Sequence, residues 1–162
     1  MKIKVGDKLP VSEFFYLNQK NEVKIISTSN IFKNQKIVLL GMPGAFTKTC
    51  SAIHLPGYIK NYDTAEKKGV SKIVCVAVND PNVMKAWGEN QGVGEKIFMI
   101  GDPFLNFTKA IGAEVDKSEK GLGMRSNRYT MLIENEIVKK LVEEEETAKC
   151  ELSEAENFLS KI

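Results

Sequence analysis

A strand–loop–helix pattern between residues 36 and 58 constrains the fold of this chain more than any other feature. Ile37–Leu40 is a continuous apolar run, which is typical of a strand buried on both faces of a sheet. Met42, Pro43 and a short loop follow, and helix-like patterning begins at Thr49-Cys50-Ser51. The sequence therefore predicts a cysteine in the first turn of a helix, just beyond the end of a buried strand.

The remaining elements predict an α/β domain. Hydrophobic periodicity and turn residues give the order β, α, β, α, β, α, β, β, α, with Asp80-Pro81 and Asp102-Pro103 as helix starts. A βαβ unit followed by a hairpin and a terminal helix predicts a thioredoxin-like fold, a central mixed β-sheet flanked by helices on both faces. We find no repeat or linker and expect one domain over residues 1–162. Residues 1–20 are expected to be an extended arm with turns, and residues 113–127 to be irregular.

Several local features predict how segments near the cysteines are built. The helix after Cys50 is expected to run to about Lys68, with a kink near Pro56, and to end at Gly69. The acidic run 143–146 is expected to be a solvated loop. Ser153-x-x-Glu156 matches a capping box at the start of the last helix.

Composition excludes several functional classes. With 162 residues, 43% of them apolar, the chain can bury a full core, and a net charge of +2 from scattered basic residues gives no indication of nucleic-acid binding. No apolar run approaches the roughly 20 residues needed to span a bilayer. The start MKIKVGDKLP lacks a signal-peptide pattern, and three cysteines argue against a secreted disulfide framework. We therefore expect a soluble cytoplasmic protein without membrane or nucleic-acid partners.

Cys50 is the candidate nucleophile. The first turn of a helix has unpaired N–H groups and a positive dipole end, which favour the reactive thiolate. The alternative is a buried, inert cysteine, and position alone leaves the two interpretations about even. Thr47, three residues earlier, can donate to a thiolate and accept from a substrate O–H, or it can simply cap the helix. The N–H groups of residues 44–50 can line a small anion pocket.

Three other residues are candidates for the same site. Arg125 and Arg128 are the only arginines, and a guanidinium can hold two oxygens of a substrate; position alone favours a solvated pair on a loop. His54, the only histidine, allows a Cys–His dyad with Cys50, although a hydrogen-bonded packing residue is the favoured interpretation. One histidine and three widely spaced cysteines match no zinc spacing. A Cys-x5-Arg phosphatase loop is excluded because Pro56 occupies the arginine position.

The other two cysteines have different surroundings. Cys75 lies in an apolar strand and is expected to be a buried, inert thiol. Cys150 lies among Glu144, Glu151 and other charged residues and is expected to be accessible, with its pKa raised by the acidic neighbours. It is a candidate to form a disulfide with Cys50.

Three separated segments resemble one family over nearly the whole chain. Pro43-x-x-x-Thr47-x-x-Cys50 resembles the active-site motif of the peroxiredoxins. PGAFTKTCSAIHLPGY at 43–58, VNDPNVMKAWG at 78–88 and RSNRYTM at 125–131 look like their type II subgroup, the peroxiredoxin five class. This resemblance implies a thioredoxin fold and peroxide reduction, and two-fold homodimers are common in the subgroup.

The resemblance also implies roles for individual residues. It makes Cys50 similar to the peroxidatic cysteine, Thr47 and Pro43 to pocket residues, and Arg128 to the arginine that contacts the thiolate and the peroxide. Lys48 departs from the family pattern, which usually has a second proline there. Some members keep a resolving cysteine near Cys150, others have a cysteine near Cys75, and many use an external thiol.

Together these features predict a thiol-dependent peroxidase. Cys50 would reduce H2O2 or a small alkyl hydroperoxide, become a sulfenic acid and be recycled by glutaredoxin and glutathione or by thioredoxin, with no metal or organic cofactor. The alternative is a peroxide-sensing switch or binding module that uses the same residues without steady turnover. A thiol–disulfide oxidoreductase is disfavoured because Cys-x-x-Cys is absent.

Overall fold

A mixed seven-stranded sheet forms the centre of the protein. The computed structural model describes residues 1–162, and the strand order of this sheet is β2-β1-β5-β4-β3-β8-β9. A two-stranded sheet pairs β6 with β7. The strands are β1 Glu13–Leu17, β2 Val23–Ser27, β3 Lys36–Met42, β4 Lys72–Ala77, β5 Ile97–Gly101, β6 Glu114–Asp116, β7 Met124–Ser126, β8 Tyr129–Glu134 and β9 Ile137–Glu143.

Six α-helices and one π-helical segment connect or flank these strands. None of the helices has both the length and the apolar character that crossing a bilayer demands. The α-helices are α1 Thr28–Phe32, α2 Leu55–Lys60, α3 Tyr62–Lys67, α4 Pro81–Gln91, α5 Asn106–Ala110 and α6 Ala155–Leu159, and the π-helix is Cys50–His54.

The predicted thioredoxin-like arrangement is confirmed. β3, β4 and β5 are parallel to one another, while β8 pairs antiparallel with β3 and β9 antiparallel with β8. Alternate residues of β3 enter two separate apolar cores, with Val38 and Leu40 on one face and Ile37 and Leu39 on the other. The sheet is therefore covered on both faces, as the continuous apolar run of β3 indicates.

A close approach between two central strands places one of the arginines. Gly41 of β3 pairs with Tyr129 at the start of β8, and a Cβ at position 41 would overlap the Tyr129 ring. Only glycine permits this contact, which brings β8 tightly against β3. Arg128 directly precedes Tyr129, so its backbone lies at the end of the sheet where the loop after β3 begins.

Two segments are more regular than the sequence indicates. The expected N-terminal arm contains β1, which forms an antiparallel hairpin with β2, and the expected irregular segment 113–127 contains the β6–β7 pair. The first prediction missed a strand within the arm and the second was wrong, because these short strands have mixed composition and are specified by their pairing partners, not by local periodicity.

The helical segment that begins at Cys50 is irregular just before Pro56, where the sequence predicts a kink. The π-helix ends at His54, the residue before Leu55-Pro56, and the Leu55 N–H donates to the Cys50 carbonyl five residues earlier. Asn61 then separates α2 from α3, and Gly69 follows the end of α3 with a φ of +83°. The predicted end at Gly69 is confirmed.

Candidate active site

The loop after β3 carries the candidate nucleophile to the carboxyl edge of the parallel strands. Helical backbone begins at Lys48, so Cys50 lies in the first helical turn, as predicted. The Ala45 N–H donates to the Asn79 side-chain oxygen at 2.9 Å, which ties this loop to the segment after β4. Cys50 follows this loop in the chain, and its side chain is fully buried.

Arg128 is the residue that contacts Cys50. Its Nη2 donates to Cys50 Sγ at 3.2 Å, and both side chains are buried. A guanidinium donor can stabilise negative charge that is present on a sulfur atom. The interpretation of Arg128 as a solvated loop residue was therefore wrong, because this contact spans 78 positions and has no local signal.

Carbonyl groups complete the coordination of the Arg128 guanidinium. Nε and Nη2 donate to the Thr147 carbonyl at 3.2 and 2.9 Å, and the hydroxyl of Thr49 donates to the neighbouring Ala148 carbonyl at 3.0 Å. None of the hydrogen-bond partners of Arg128 is a carboxylate. Its positive charge therefore stays available to an anion at the sulfur.

His54 packs against Arg128 and has no hydrogen bond to Cys50. Its Nδ1 lies 3.0 Å from Arg128 Nη1 and its Nε2 lies 3.2 Å from Thr130 Oγ1. Burial, and then the charge of Arg128, hold the pKa of His54 well below its usual value. The neutral ring accepts at Nδ1 from the guanidinium and donates at Nε2 to Thr130, whose hydroxyl donates to the Ser153 carbonyl at 3.2 Å. The favoured interpretation of a hydrogen-bonded packing residue fits this geometry, and the dyad does not.

Thr47 and Pro43 lie at the mouth of the site, as the resemblance implies. The Thr47 hydroxyl donates to the Gly44 carbonyl at 2.7 Å, so the expected hydrogen bond from this hydroxyl to the thiolate is absent. Its oxygen lone pairs remain able to accept from a substrate O–H. Arg125 lies behind the loop, with Nη1 3.4 Å from the Pro43 carbonyl. The structure thus brings both arginines to the loop, but only Arg128 reaches the sulfur.

A cavity of about 300 Å³ opens in front of Arg128. Its lining includes Pro43, Thr47, Lys48, Lys117, Lys120 and Arg128. Sequence reasoning missed the two lysines at 117 and 120, because their place beside the loop depends on the β6–β7 pair. It also missed Trp87, whose Nε1 donates to the Ser51 hydroxyl at 3.0 Å, next to Cys50.

The other two cysteines occupy the predicted environments with one correction. Cys75 is fully buried, and burial raises the pKa of its thiol well above the ordinary value. Cys150 is half-buried, and its Sγ lies 3.6 Å from the Ser153 hydroxyl oxygen. Its pKa is raised, but burial is the main cause and the charges of Glu144 and Glu154 come after it.

The acidic run 143–146 is partly structural, so the prediction of a solvated loop was wrong for its first half. Glu143 contacts the N-terminal ammonium at 2.8 Å. Glu144 is buried and accepts from the Glu151 N–H, the Ser153 N–H and the Ser153 hydroxyl, each at 2.8 Å. Although burial opposes its charge, these hydrogen bonds hold the pKa of Glu144 below its ordinary value.

The capping box predicted at Ser153 was also wrong. The N-cap of α6 is Glu154, and the Ser153 hydroxyl is engaged by Glu144 instead. No group of three or more His, Cys, Asp or Glu side chains is placed to hold a metal ion.

Comparisons with known proteins identify the family. The Redoxin family model matches residues 4–159. A chloroplastic peroxiredoxin-2E-2 from Oryza sativa subsp. japonica is 42% identical and covers 99% of this chain and 72% of the relative, and peroxiredoxin-2D from Arabidopsis thaliana is 38% identical over 82% of each chain. The structure of reduced Prx3 from Vibrio vulnificus in complex with H2O2 superimposes with a TM-score of 0.91 at 42% identity, covering 98% of both chains. This chain therefore belongs to the Redoxin family, as a peroxiredoxin with thiol peroxidase activity.

Proposed function

We propose that Cys50 is the residue that peroxide oxidises and that Arg128 and Thr47 position the peroxide. The observation that carries this proposal is the 3.2 Å contact between the buried Cys50 Sγ and Arg128 Nη2, because Arg128 also lines an open cavity. The thiolate attacks the terminal peroxide oxygen, the S–O bond forms as the O–O bond breaks, and the leaving oxygen takes a proton. The products are Cys50 sulfenic acid and water or an alcohol.

The surrounding groups supply orientation and electrostatic stabilisation. Arg128 can bond to the sulfur and to an approaching oxygen at once, because a guanidinium presents five N–H donors in a fixed plane. Thr47 can accept the peroxide O–H, since its own proton is engaged by Gly44. Pro43, buried at the start of the loop, limits the freedom of these groups. Groups fixed before the reaction stabilise a developing charge without reorganisation.

We propose that an external thiol, from glutathione and glutaredoxin or from thioredoxin, condenses with the sulfenic acid. Two observations favour an external thiol over Cys150. The pKa of Cys150 is raised, and the segment that carries it is fixed by Arg128 and Thr49 through the carbonyls of residues 147 and 148. Disulfide mapping after one equivalent of H2O2 tests this in wild type and Cys150→Ser. Sulfenic acid at Cys50 in both proteins supports an external thiol, whereas a Cys50–Cys150 bond in wild type assigns the resolving role to Cys150.

We also propose that the protein acts as a single-domain homodimer. Phe46 and Ile53, on the loop and helix around Cys50, are large apolar residues that are 54% and 48% exposed. Apolar side chains exposed beside a functional site are typical of a protein interface. Analytical ultracentrifugation of wild type and Phe46→Asp tests this proposal. A dimer that dissociates in the variant supports it, and a wild-type monomer at micromolar concentration contradicts it.

Steady turnover separates the enzyme from a redox sensor. Peroxide consumption is followed with each thiol system and NADPH in excess, with Cys50→Ser as the negative control and Cys75→Ser as the matched control. Many turnovers that depend on Cys50 support the proposed cycle. Oxidation of one equivalent that then stops with both thiol systems would indicate the sensor, and undiminished turnover in Cys50→Ser would refute the assigned nucleophile.

A further inference from the structure

The wall of the cavity in front of Arg128 is positively charged, although H2O2 is a neutral molecule. Four cationic side chains line it, those of Lys48, Lys117, Lys120 and Arg128, and no carboxylate lines it. Its volume of about 300 Å³ is several times that of H2O2, so there is room for the organic part of a larger peroxide. None of the three lysines forms a salt bridge within the protein.

Lys48, Lys117 and Lys120 form a lysine rim around this cavity. The part of the rim that carries Lys117 and Lys120 is held in place by backbone hydrogen bonds. The turn between β6 and β7 closes through Lys117 N–H to the Gly123 carbonyl at 2.8 Å and Lys120 N–H to the Lys117 carbonyl at 3.0 Å. The Arg125 Nε donates to the Leu122 carbonyl at 2.9 Å and ties this turn to the strand beside it. The two lysine backbones therefore have a fixed position at the cavity wall.

Acidic side chains face the same lysines from outside the active site. Glu114, Glu143, Glu145 and Glu146 line a neighbouring cavity to which Lys117 and Lys120 also contribute. These carboxylates moderate the field of the two lysines without entering the cavity in front of Arg128. Lys48 lines only the cavity in front of Arg128, so the carboxylates of the neighbouring cavity do not offset its charge.

We propose that this enzyme prefers hydroperoxides whose organic part carries a carboxylate, with Lys48, Lys117 and Lys120 as the residues that determine the preference. This inference rests on the proposed role of Cys50. When Cys50 Sγ attacks the terminal oxygen of R–O–OH in line, the R group extends away from the sulfur and into the cavity. Sulfur gains the OH group, the O–O bond breaks, and R–O⁻ takes a proton to leave as R–OH. The carboxylate on R is unchanged and interacts with the lysine rim throughout.

The test compares 4-hydroperoxy-4-methylpentanoate with its methyl ester, which lacks the negative charge and is larger by one methyl group. The second-order rate constant for oxidation of Cys50 is measured by stopped flow, using the fluorescence of Trp87, the only tryptophan and a hydrogen-bond partner of Ser51. Unit charges about 8 Å apart in water change a rate by roughly twofold, so three lysines give an acid-to-ester ratio of about 10 at low salt. The ratio should fall as ionic strength rises.

Two triple variants make the test specific to the rim. Lys48→Gln, Lys117→Gln and Lys120→Gln together should lower the acid-to-ester ratio to about 2, because the charge of Arg128 remains. Lys67→Gln, Lys109→Gln and Lys139→Gln make the same change in net charge at exposed lysines away from every cavity, and the ratio should stay at its wild-type value.

The outcomes separate this inference from the proposed function. A wild-type ratio near one, or an equal fall in both triple variants, overturns the preference for anionic hydroperoxides while rapid oxidation by H2O2 leaves the role of Cys50 intact. Failure of H2O2 to oxidise Cys50 in the wild type would overturn the proposed function itself. The expected pattern is a ratio of about 10 that only the rim variant loses.

Discussion

His54 gives a quantitative test of the site, because it is a fully buried imidazole that hydrogen-bonds to Arg128. In the unfolded chain its pKa is near the usual 6.5, whereas burial and the charge of Arg128 hold the folded-state pKa well below that value. Below pH 6.5 the unfolded chain therefore binds a proton that the folded chain does not bind. The stability contributed by neutral His54 is fully present above the unfolded pKa and is lost as the pH falls toward the folded pKa.

The size of this effect follows from proton linkage. Between about pH 7.5 and about pH 5.5, one group of this kind lowers the free energy of unfolding by about 1.4 kcal/mol, as long as its folded-state pKa lies below that range. Glu144 also loses its contribution on acidification, because its folded-state pKa is lowered, but only below its ordinary value of 4.5. The chosen pH range therefore excludes the contribution of Glu144.

His54→Asn is the matched variant for this measurement. Asparagine does not titrate, and its amide oxygen can accept from Arg128 as the Nδ1 atom of His54 does. Urea denaturation at both pH values should show that wild type loses about 1.4 kcal/mol more than His54→Asn. Equal losses in the two proteins would refute the assignment of His54 as a buried, neutral ring.

The kinetics of the same position test whether His54 positions Arg128. In His54→Phe the Nη1 donor of Arg128 loses its partner in a buried site, which costs about 1–3 kcal/mol, while the Thr130 hydroxyl keeps its hydrogen bonds with Tyr58 and Ser153. We expect oxidation of Cys50 by H2O2 to slow at least about tenfold in His54→Phe and to recover in His54→Asn. A purely structural role would lower the stability of His54→Phe without this difference in rate between the two folded variants.

Three further substitutions test the other contacts. Arg128→Lys keeps the charge, but a lysine cannot reach Cys50, His54 and the Thr147 carbonyl together. The stopped-flow rate constant for oxidation by H2O2 should therefore fall about 10²-fold or more. A near-normal rate would contradict the need for the guanidinium plane. Thr47→Val removes the proposed acceptor and should slow the same step about 10- to 100-fold, whereas Thr47→Ser should retain most of the rate. Glu144→Ala removes the acceptor of three hydrogen bonds and should lower the free energy of unfolding by about 2–3 kcal/mol. It should also speed alkylation of the Cys150 thiol. Unchanged alkylation would show that Glu144 does not order the segment around Cys150.

The sequence predicted well the features that are encoded locally. The apolar run of β3, the proline and glycine after it and the helix start together predict the position of Cys50 without reference to the rest of the chain. The alternating cores on the two faces of the sheet follow from the same pattern. The fold class and the place of Cys50 in the first helical turn are therefore available from residues that are close in sequence, whereas that position alone left a nucleophile and an inert thiol about even.

The contacts that complete the site join residues that are far apart in sequence. Arg128 could be assigned from family resemblance but not from its position, because its contact with Cys50 depends on the register of β8 against β3. The lysines of the β6–β7 turn and the carbonyl of Thr147 reach the cavity for the same reason. Glu144 illustrates the converse, since a run of acids looks solvated until the fold brings N–H donors around one of them.

The shared guanidinium connects the chemistry of Cys50 to the segment that carries Cys150. One nitrogen of Arg128, Nη2, donates both to Cys50 Sγ and to the Thr147 carbonyl. In the proposed cycle, conversion of a thiolate to an uncharged sulfenic acid removes the attraction between opposite charges from the first bond, while the second bond, between the same cation and a neutral oxygen, is unchanged. Any approach of Cys150 to the oxidised sulfur must break the second bond and also the bond from Thr49 to the Ala148 carbonyl. The arrangement therefore allows reaction with peroxide before any rearrangement of this segment. The strength of the hydrogen bonds to the Thr147 and Ala148 carbonyls then decides between an internal and an external resolving thiol.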